Sequence, residues 1–96
     1  MKIDELLHEK REKILQIAQK HGAYNVRIFD LGVQDKPQLD EEVDFLVNLE
    51  PERSLLDQGG LLMELRDLLG CEVYVFTEAG LQEDYRDRVL KEAIPV

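Results

Sequence analysis

Two acidic residues, Glu42 and Asp44, lie two positions apart in a segment with the alternating pattern of a β-strand. Because successive side chains of a strand point to opposite faces, both carboxylates lie on one face of the predicted sheet. Two neighbouring negative charges repel each other unless a cation binds between them or the face stays in contact with water. The spacing is that of an Asp-x-Asp metal site with glutamate in its first position.

This acidic pair has two interpretations, and the sequence alone leaves both open. Glu42 and Asp44 are either metal ligands or a solvated acidic face, and of the two we favour the solvated face. The opposite face of the same strand is purely apolar and requires a hydrophobic core. It carries Val43, Phe45, Val47 and Leu49.

Composition limits the class of protein before any motif is considered. The 96 residues are enough for one small domain, 1–96, and the 44% hydrophobic and 34% charged content is typical of a globular protein. A formal net charge of -9 argues against direct binding to nucleic acid and allows a basic protein partner. The single cysteine, Cys71, and the absence of a long apolar run lead us to expect a cytoplasmic protein without a membrane span.

Hydrophobic periodicity predicts six elements in the order α-β-β-α-β-α. The expected ranges are a helix over 2–21, strands over 26–29 and 42–49, a helix over 54–69, a strand over 72–76 and a helix over 82–93. Ser54 and Asp57 form a capping-box pattern at the start of the second helix, and Gly70 is placed to end it. The predicted fold is therefore of the α/β (α+β) class, with a small mixed three-stranded sheet covered by helices.

Several segments together carry a resemblance that extends over nearly the whole chain. They are Asn25-Val26-Arg27-Ile28-Phe29, Val43-Asp44-Phe45-Leu46-Val47, Arg53-Ser54-Leu55-Leu56-Asp57, Gly59-Gly60-Leu61-Leu62, Leu68-Leu69-Gly70, Thr77-Glu78, Gly80-Leu81 and Arg88-Val89-Leu90-Lys91-Glu92-Ala93. In these segments the chain resembles the minimal nucleotidyltransferases (MNT) of the DNA polymerase beta superfamily. Proteins of that family are encoded beside HEPN-domain proteins and are regarded as the antitoxins of HEPN/MNT toxin–antitoxin pairs.

The resemblance implies three sets of catalytic residues in active members. A Gly-Ser pair after the first strand holds the phosphates of the nucleotide through backbone amides and a hydroxyl. An Asp-x-Asp on the second strand holds Mg²⁺, which neutralises charge on the phosphates. An Asp on the third strand helps to hold a second metal or activates the attacking hydroxyl.

This chain departs from that pattern at each of the three places. Asp30 and Leu31 stand where Gly-Ser is expected, so that a negative charge faces a negative ligand and the hydroxyl is missing. Glu42 and Asp44 replace the Asp pair, and glutamate is longer by one methylene. Tyr74 stands where the third Asp is expected, and a neutral phenol does not replace a carboxylate on Mg²⁺. We therefore interpret the chain as a degenerate family member that keeps the fold and does not transfer nucleotides.

The resemblance implies a function by binding, with two alternatives. We expect an antitoxin-like partner that neutralises a HEPN-domain, RNase-type toxin in a hetero-oligomer and needs no cofactor. One alternative is an active adenylyltransferase that modifies the HEPN partner with Mg²⁺ and ATP, its metal held by Glu42, Asp44 and a third ligand such as Glu72 or Asp40. The other is a structural subunit that associates only with itself.

The position of the partner interface stays open at this stage. One candidate is the face bearing Glu41, Glu42 and Asp44, and another is the last helix around Tyr85 and Arg88. The leucines of the helix over 54–69 outnumber what one face of a helix in a small domain needs, and Ile94-Pro95-Val96 is a further apolar segment.

Overall fold

A computed structural model of the protein describes residues 3–29 and 42–96. Its elements are α1 (Ile3–Lys20), β1 (Ala23–Phe29), β2 (Glu42–Leu49), α2 (Leu55–Leu69), β3 (Glu72–Thr77), α3 (Glu83–Glu92) and β4 (Ile94–Pro95). The predicted class and the order of its six elements are confirmed. A short fourth strand, which was not predicted, is added at the end.

The strands form one mixed sheet in the order β3-β2-β1-β4. Strand β1 is antiparallel to both β2 and β4, whereas β2 and β3 run parallel. A parallel pair needs a crossover connection, and α2 supplies it as predicted. The segment after Ala93 is thus an edge strand and not a loose apolar tail, since the Val96 amide also donates to the Val26 carbonyl at 3.1 Å.

Strand β1 begins at Ala23, three residues before the predicted start, and it contains a backbone irregularity. Its pairing with β2 shifts register between Tyr24 and Arg27, and Asn25 has a φ of +54°. Asparagine tolerates this left-handed backbone better than most residues. The Asn25 side-chain amide donates to the Asn48 side-chain oxygen at 3.0 Å, which fixes the irregular turn of the strand against β2.

Both faces of the sheet are covered in part. The apolar face of β2 packs against α1 and α2 in the larger core, whose fully buried members include Ile14, Phe45, Val47, Leu61 and Val73. A second, smaller cluster lies on the other face, where α3 and the segment before it cover the sheet. It consists of Phe29, Leu46, Leu81 and Val89.

The second cluster covers part of the face of β2 that carries Glu42 and Asp44. Leu46 lies on the same face as Glu42 and Asp44 and is fully buried. Beside it, Phe29 and Phe76 pack edge to face with ring centroids 5.3 Å apart. Along β2 this face therefore changes from a half-buried acidic end at Glu42 and Asp44 to a buried apolar centre at Leu46.

Helix α2 has the ends that the sequence predicts. The Ser54 hydroxyl accepts a hydrogen bond from the Leu56 amide at 3.2 Å, and the Asp57 carboxylate accepts one from the Ser54 amide at 3.1 Å. The Ser54 hydrogen bond, with help from the neighbouring Arg53 guanidinium, lowers the pKa of the Asp57 carboxyl. Gly70 ends the helix in the left-handed conformation with φ +66°.

A polar contact between α1 and α2 makes the stability of the fold depend on pH. Glu64 of α2 accepts hydrogen bonds from the His21 ring and from the Lys20 ammonium, the latter at 2.9 Å. These two bonds, first that of His21 and then that of Lys20, lower the pKa of the Glu64 carboxyl. A lowered pKa means that the folded state favours the ionised carboxylate.

We expect Glu64→Gln to unfold at a lower denaturant concentration than the wild type at pH 7. The wild-type advantage is complete above the ordinary pKa of 4.5 and is lost as the pH falls through the lower folded-state value. Denaturant titrations of both proteins over this pH range measure the difference. A gap that stays constant down to low pH contradicts the prediction.

Candidate functional site

The candidate site lies where the end of β1 meets the starts of β2 and β3. Because β1 is antiparallel to β2 and β2 is parallel to β3, Phe29, Glu42 and Glu72 come to the same end of the sheet. The sheet topology therefore brings together the second-strand and third-strand positions that the sequence singled out.

The predicted pair stands on one face, as the alternation requires. Glu42 and Asp44 are both half-buried, while Val43 and Phe45 between and after them are buried on the opposite face. Asp44 lies in register with Phe29 of β1 on one side and with Tyr74 of β3 on the other. The acidic pair thus lies at one end of a face whose centre is filled by Leu46.

Tyr74 occupies the third-strand position beside Asp44. Register partners in a sheet have their side chains on the same face, so the phenol and the Asp44 carboxylate belong to one surface. The Tyr74 side chain is 38% exposed, more than expected for a sheet tyrosine packed under a helix. A residue at this position could reach a ligand held by Asp44.

Glu72, considered above as a replacement third ligand, has another contact. It pairs with Glu42 in the β2–β3 register, but its carboxylate lies 3.7 Å from the Arg66 guanidinium of α2. Among residues 3–29 and 42–96, no three acidic, histidine or cysteine side chains are placed to hold one metal ion. Asp40, the other candidate ligand, lies outside the described residues, as do Asp30, Leu31 and Glu41.

The chemistry of this arrangement is limited by the number of carboxylates. Mg²⁺ is commonly bound through one or two carboxylates, with water and substrate phosphates completing the shell, so Glu42 and Asp44 fit one such ion. A general base, or a second ion, needs a further carboxylate close to Asp44. In the described strands the adjacent register position is held by Tyr74, whose side chain is a phenol and not a carboxylate.

At the opposite end of the same sheet face lies a polar network that sequence reasoning did not identify. The Arg27 guanidinium donates to the Glu78 carboxylate at 2.5 Å and to the Asn48 side-chain oxygen at 3.0 Å. The Arg27 side chain is only 11% exposed. Arg86 of α3 also donates to the Glu78 backbone carbonyl. The signal available in the sequence was an arginine placed between Val26 and Ile28, and its role here is to join β1, β2 and the segment that leads to α3.

An open cleft of about 500 Å³ lies next to this network, at the carboxyl ends of β2 and β3. Its lining includes Asn48, Glu50, Arg53, Leu55 and Thr77. Arg53 lies 3.3 Å from both the Glu50 and the Asp57 carboxylates, so its charge is already balanced within the chain. The cleft therefore lacks the excess positive charge that a nucleotide phosphate site requires.

Comparison with known proteins identifies close relatives along nearly the full chain. No family model matches the sequence. A protein of Methanocaldococcus jannaschii described as a "putative protein adenylyltransferase" is 34% identical over 90 residues, which are 94% of this chain and 97% of that protein. A solved structure described as a "putative minimal nucleotidyltransferase" superposes with a TM-score of 0.79 at 39% identity, covering 96% of this chain and 94% of the other.

Proposed function

The chain belongs to the minimal nucleotidyltransferases, and from that premise we propose that it is a degenerate member which acts by binding rather than by nucleotidyl transfer. Its partner in this proposal is a HEPN-domain toxin of the RNase type, which it neutralises as an antitoxin in the cytoplasm. The observation that carries the proposal is Tyr74, which stands in register with Asp44 where transfer chemistry requires a third carboxylate.

Two further departures support the loss of transfer. Asp30 and Leu31 replace the phosphate-binding Gly-Ser, which removes a hydroxyl and adds a negative charge facing the nucleotide. Glu42 extends one methylene further than Asp, and a misplacement of about 1 Å near the reacting atoms can lower a rate about a hundredfold. Each change affects a different step, namely phosphate binding, metal placement and base catalysis, so their effects combine.

The charge of the chain supports a basic protein partner. A protein that cleaves RNA needs Lys and Arg to bind the phosphate backbone, and a chain with a net charge of -9 complements such a surface. The same charge disfavours direct contact of this chain with nucleic acid. In this proposal no cofactor takes part in neutralisation.

One alternative keeps the transfer reaction, which is the activity named in the description of the relative called a "putative protein adenylyltransferase". In that case Glu42 and Asp44 hold Mg²⁺, and Asp40 is the nearest sequence candidate for a third ligand. An acceptor hydroxyl of the partner attacks the α-phosphorus of ATP and loses its proton, and pyrophosphate leaves. The ion supplies charge neutralisation on the phosphates.

The stoichiometry of neutralisation separates the two functions. The assay adds this chain to the HEPN-domain protein encoded next to it and measures RNA cleavage. We expect cleavage to fall linearly and to stop at the molar ratio that the two proteins have in their stable complex. The endpoint is expected to be the same with or without Mg-ATP, because binding alone blocks the toxin. The matched control is Asp44→Asn, which keeps the shape of the side chain and removes a metal ligand, and which we expect to inhibit like the wild type.

Inhibition by catalytic amounts of the chain contradicts the proposal if it requires ATP and is lost in Asp44→Asn. Such a result establishes the transferase alternative. A chain that neither binds nor inhibits the partner contradicts both functions and leaves self-association, which the sedimentation mass of the isolated chain measures.

A further inference from the structure

The outward side of α2 carries apolar side chains over its first three turns. Leu56, Gly59 and Met63 follow one another at i, i+3 and i+7, which places them along one line of the helix. Leu55, Leu56 and Met63 are 82%, 87% and 56% exposed. We call Leu55, Leu56, Gly59 and Met63 the α2 patch.

The α2 patch is unusual within this chain because the opposite side of the same helix is already in the core. Leu61, Leu65 and Leu69 are buried against the sheet and α1. Charged residues dominate the outer sides of α1 and α3, whose sequences are IDELLHEKREKILQIAQK and EDYRDRVLKE. A helix that is apolar on both sides generally has both sides covered, so the outer side of α2 is expected to be covered by another molecule.

Gly59 adds an independent indication of close packing from outside. Within residues 3–29 and 42–96, a Cβ atom at Gly59 meets nothing within 4 Å beyond its chain neighbours and its own helix backbone, whereas one at Gly60 would lie 2.7 Å from the His21 ring. The nearby His21 ring therefore explains why position 60 is a glycine, whereas no contact among the described residues explains the glycine at position 59. Glycine within a helix costs about 1 kcal/mol relative to alanine, and it is the residue that allows another molecule to approach the backbone closely.

Charges around the α2 patch indicate the chemistry of the covering molecule. The two arginines at its ends are bound to carboxylates of this chain, Arg53 to Glu50 and Asp57 at 3.3 Å and Arg66 to Glu72 at 3.7 Å.

The acidic residues Glu52 and Asp67, both exposed, flank the same surface. The residues around the α2 patch, which we call its rim, therefore carry a net negative charge. A second copy of the chain would bring an equally negative rim against it, and like charges that face each other across an interface are unfavourable.

We propose that the α2 patch is the docking surface for a helix of a basic protein partner, with an apolar stripe flanked by Lys and Arg. This inference rests on the proposed function, since that partner has the chemistry of the RNA-cleaving protein proposed above. The apolar stripe packs on Leu56 and Met63, and its backbone approaches Gly59. The basic flanks meet Glu52 and Asp67 and reach the cleft beside Leu55, which has Glu50 and Glu78 in its lining.

The test replaces the apolar side chains by arginine and measures the affinity for the HEPN-domain protein by calorimetry. We expect Leu56→Arg/Met63→Arg to raise the Kd at least about a hundredfold. Two central apolar contacts are lost, and the two added arginines repel the Lys and Arg side chains of the partner. The matched control is Tyr24→Arg, which changes a 54% exposed aromatic residue of β1 in the same way. We expect it to bind like the wild type, and circular dichroism checks that both variants are folded.

A second variant separates docking from folding. Gly59→Gln adds a side chain where this chain leaves open space, so we expect a higher Tm from the better helix former and a weaker complex. If the folded Leu56→Arg/Met63→Arg variant binds the HEPN-domain protein with wild-type affinity, the α2 patch is not the docking surface, and the proposed function is unaffected. Failure of the wild type to bind overturns the proposed function itself. A dimer of the isolated wild type that Met63→Arg dissociates overturns the basic partner in favour of a second copy.

Discussion

Restoring the four altered motif positions together is expected to give the chain a Mg²⁺-dependent nucleotidyl transfer that the wild type lacks. The variant carries Asp30→Gly, Leu31→Ser, Glu42→Asp and Tyr74→Asp. The first two changes supply backbone and hydroxyl contacts to phosphate, and the third shortens the metal ligand. The last supplies the carboxylate that deprotonates the acceptor or holds a second ion.

The structure explains why position 74 has the decisive part in this prediction. Tyr74 and Asp44 are register partners on adjacent parallel strands, so an aspartate at 74 enters the same surface as the Asp44 carboxylate. Because the Tyr74 side chain is 38% exposed, its replacement leaves no large cavity in the core. Tyr74→Asp is therefore expected to leave the fold intact, and circular dichroism checks that the chain with all four changes is folded.

The measurement is pyrophosphate release from Mg-ATP in the presence of the HEPN-domain protein. The matched control keeps the other three changes and carries Tyr74→Asn, which has the shape of aspartate without its charge. We expect the aspartate variant to be at least about a hundredfold faster than this control, the usual contribution of a positioned acid or base. Equal rates in the two variants, or a wild type as fast as the restored chain, contradict the roles assigned to these residues.

Local patterns of the sequence predicted the elements that position the site. Alternation of polar and apolar residues over Glu42–Leu49, interrupted only at Leu46, predicted the bounds of β2 and the common face of its two carboxylates. The capping box at Ser54 and the glycine at position 70 predicted both ends of α2. These features depend on neighbouring residues only, so they can be read without knowledge of the tertiary structure.

Features that depend on distant residues were not predicted. Burial of Leu46 on the acidic face requires α3 to fold back over the sheet, which no local pattern indicates. Strand β4 has two residues, one of them proline, and it forms by antiparallel pairing with the edge of β1. The start of β1 was missed because Asn25 interrupts the alternation with a positive φ.

The contacts of individual side chains were equally beyond sequence reasoning. Glu72 was a candidate metal ligand by its position on β3, but it lies near Arg66 because α2 passes beside the start of that strand. Gly60 allows the His21 ring to approach α2, because a Cβ atom there would lie 2.7 Å from the ring. Within the described residues, Gly59 beside it has no such contact.

Among residues 3–29 and 42–96, no helix has the length and hydrophobicity needed to cross a bilayer. The identity of the family rests on relatives that match over more than nine-tenths of both chains. In the proposed function the chain retains the sheet of the fold, whereas its residues at the motif positions differ from those that the resemblance implies for active members. A binding function requires the first and tolerates the second.

The intact mass of the proposed HEPN-domain partner, after incubation with the wild-type chain and Mg-ATP under conditions that preserve complexes, tests this account most directly. We predict a stable complex in which the mass of the partner is unchanged, because Tyr74 leaves the site without its third carboxylate. A partner that gains the mass of one or more nucleotidyl groups would show that Glu42 and Asp44 still support the chemistry, and it would contradict the account.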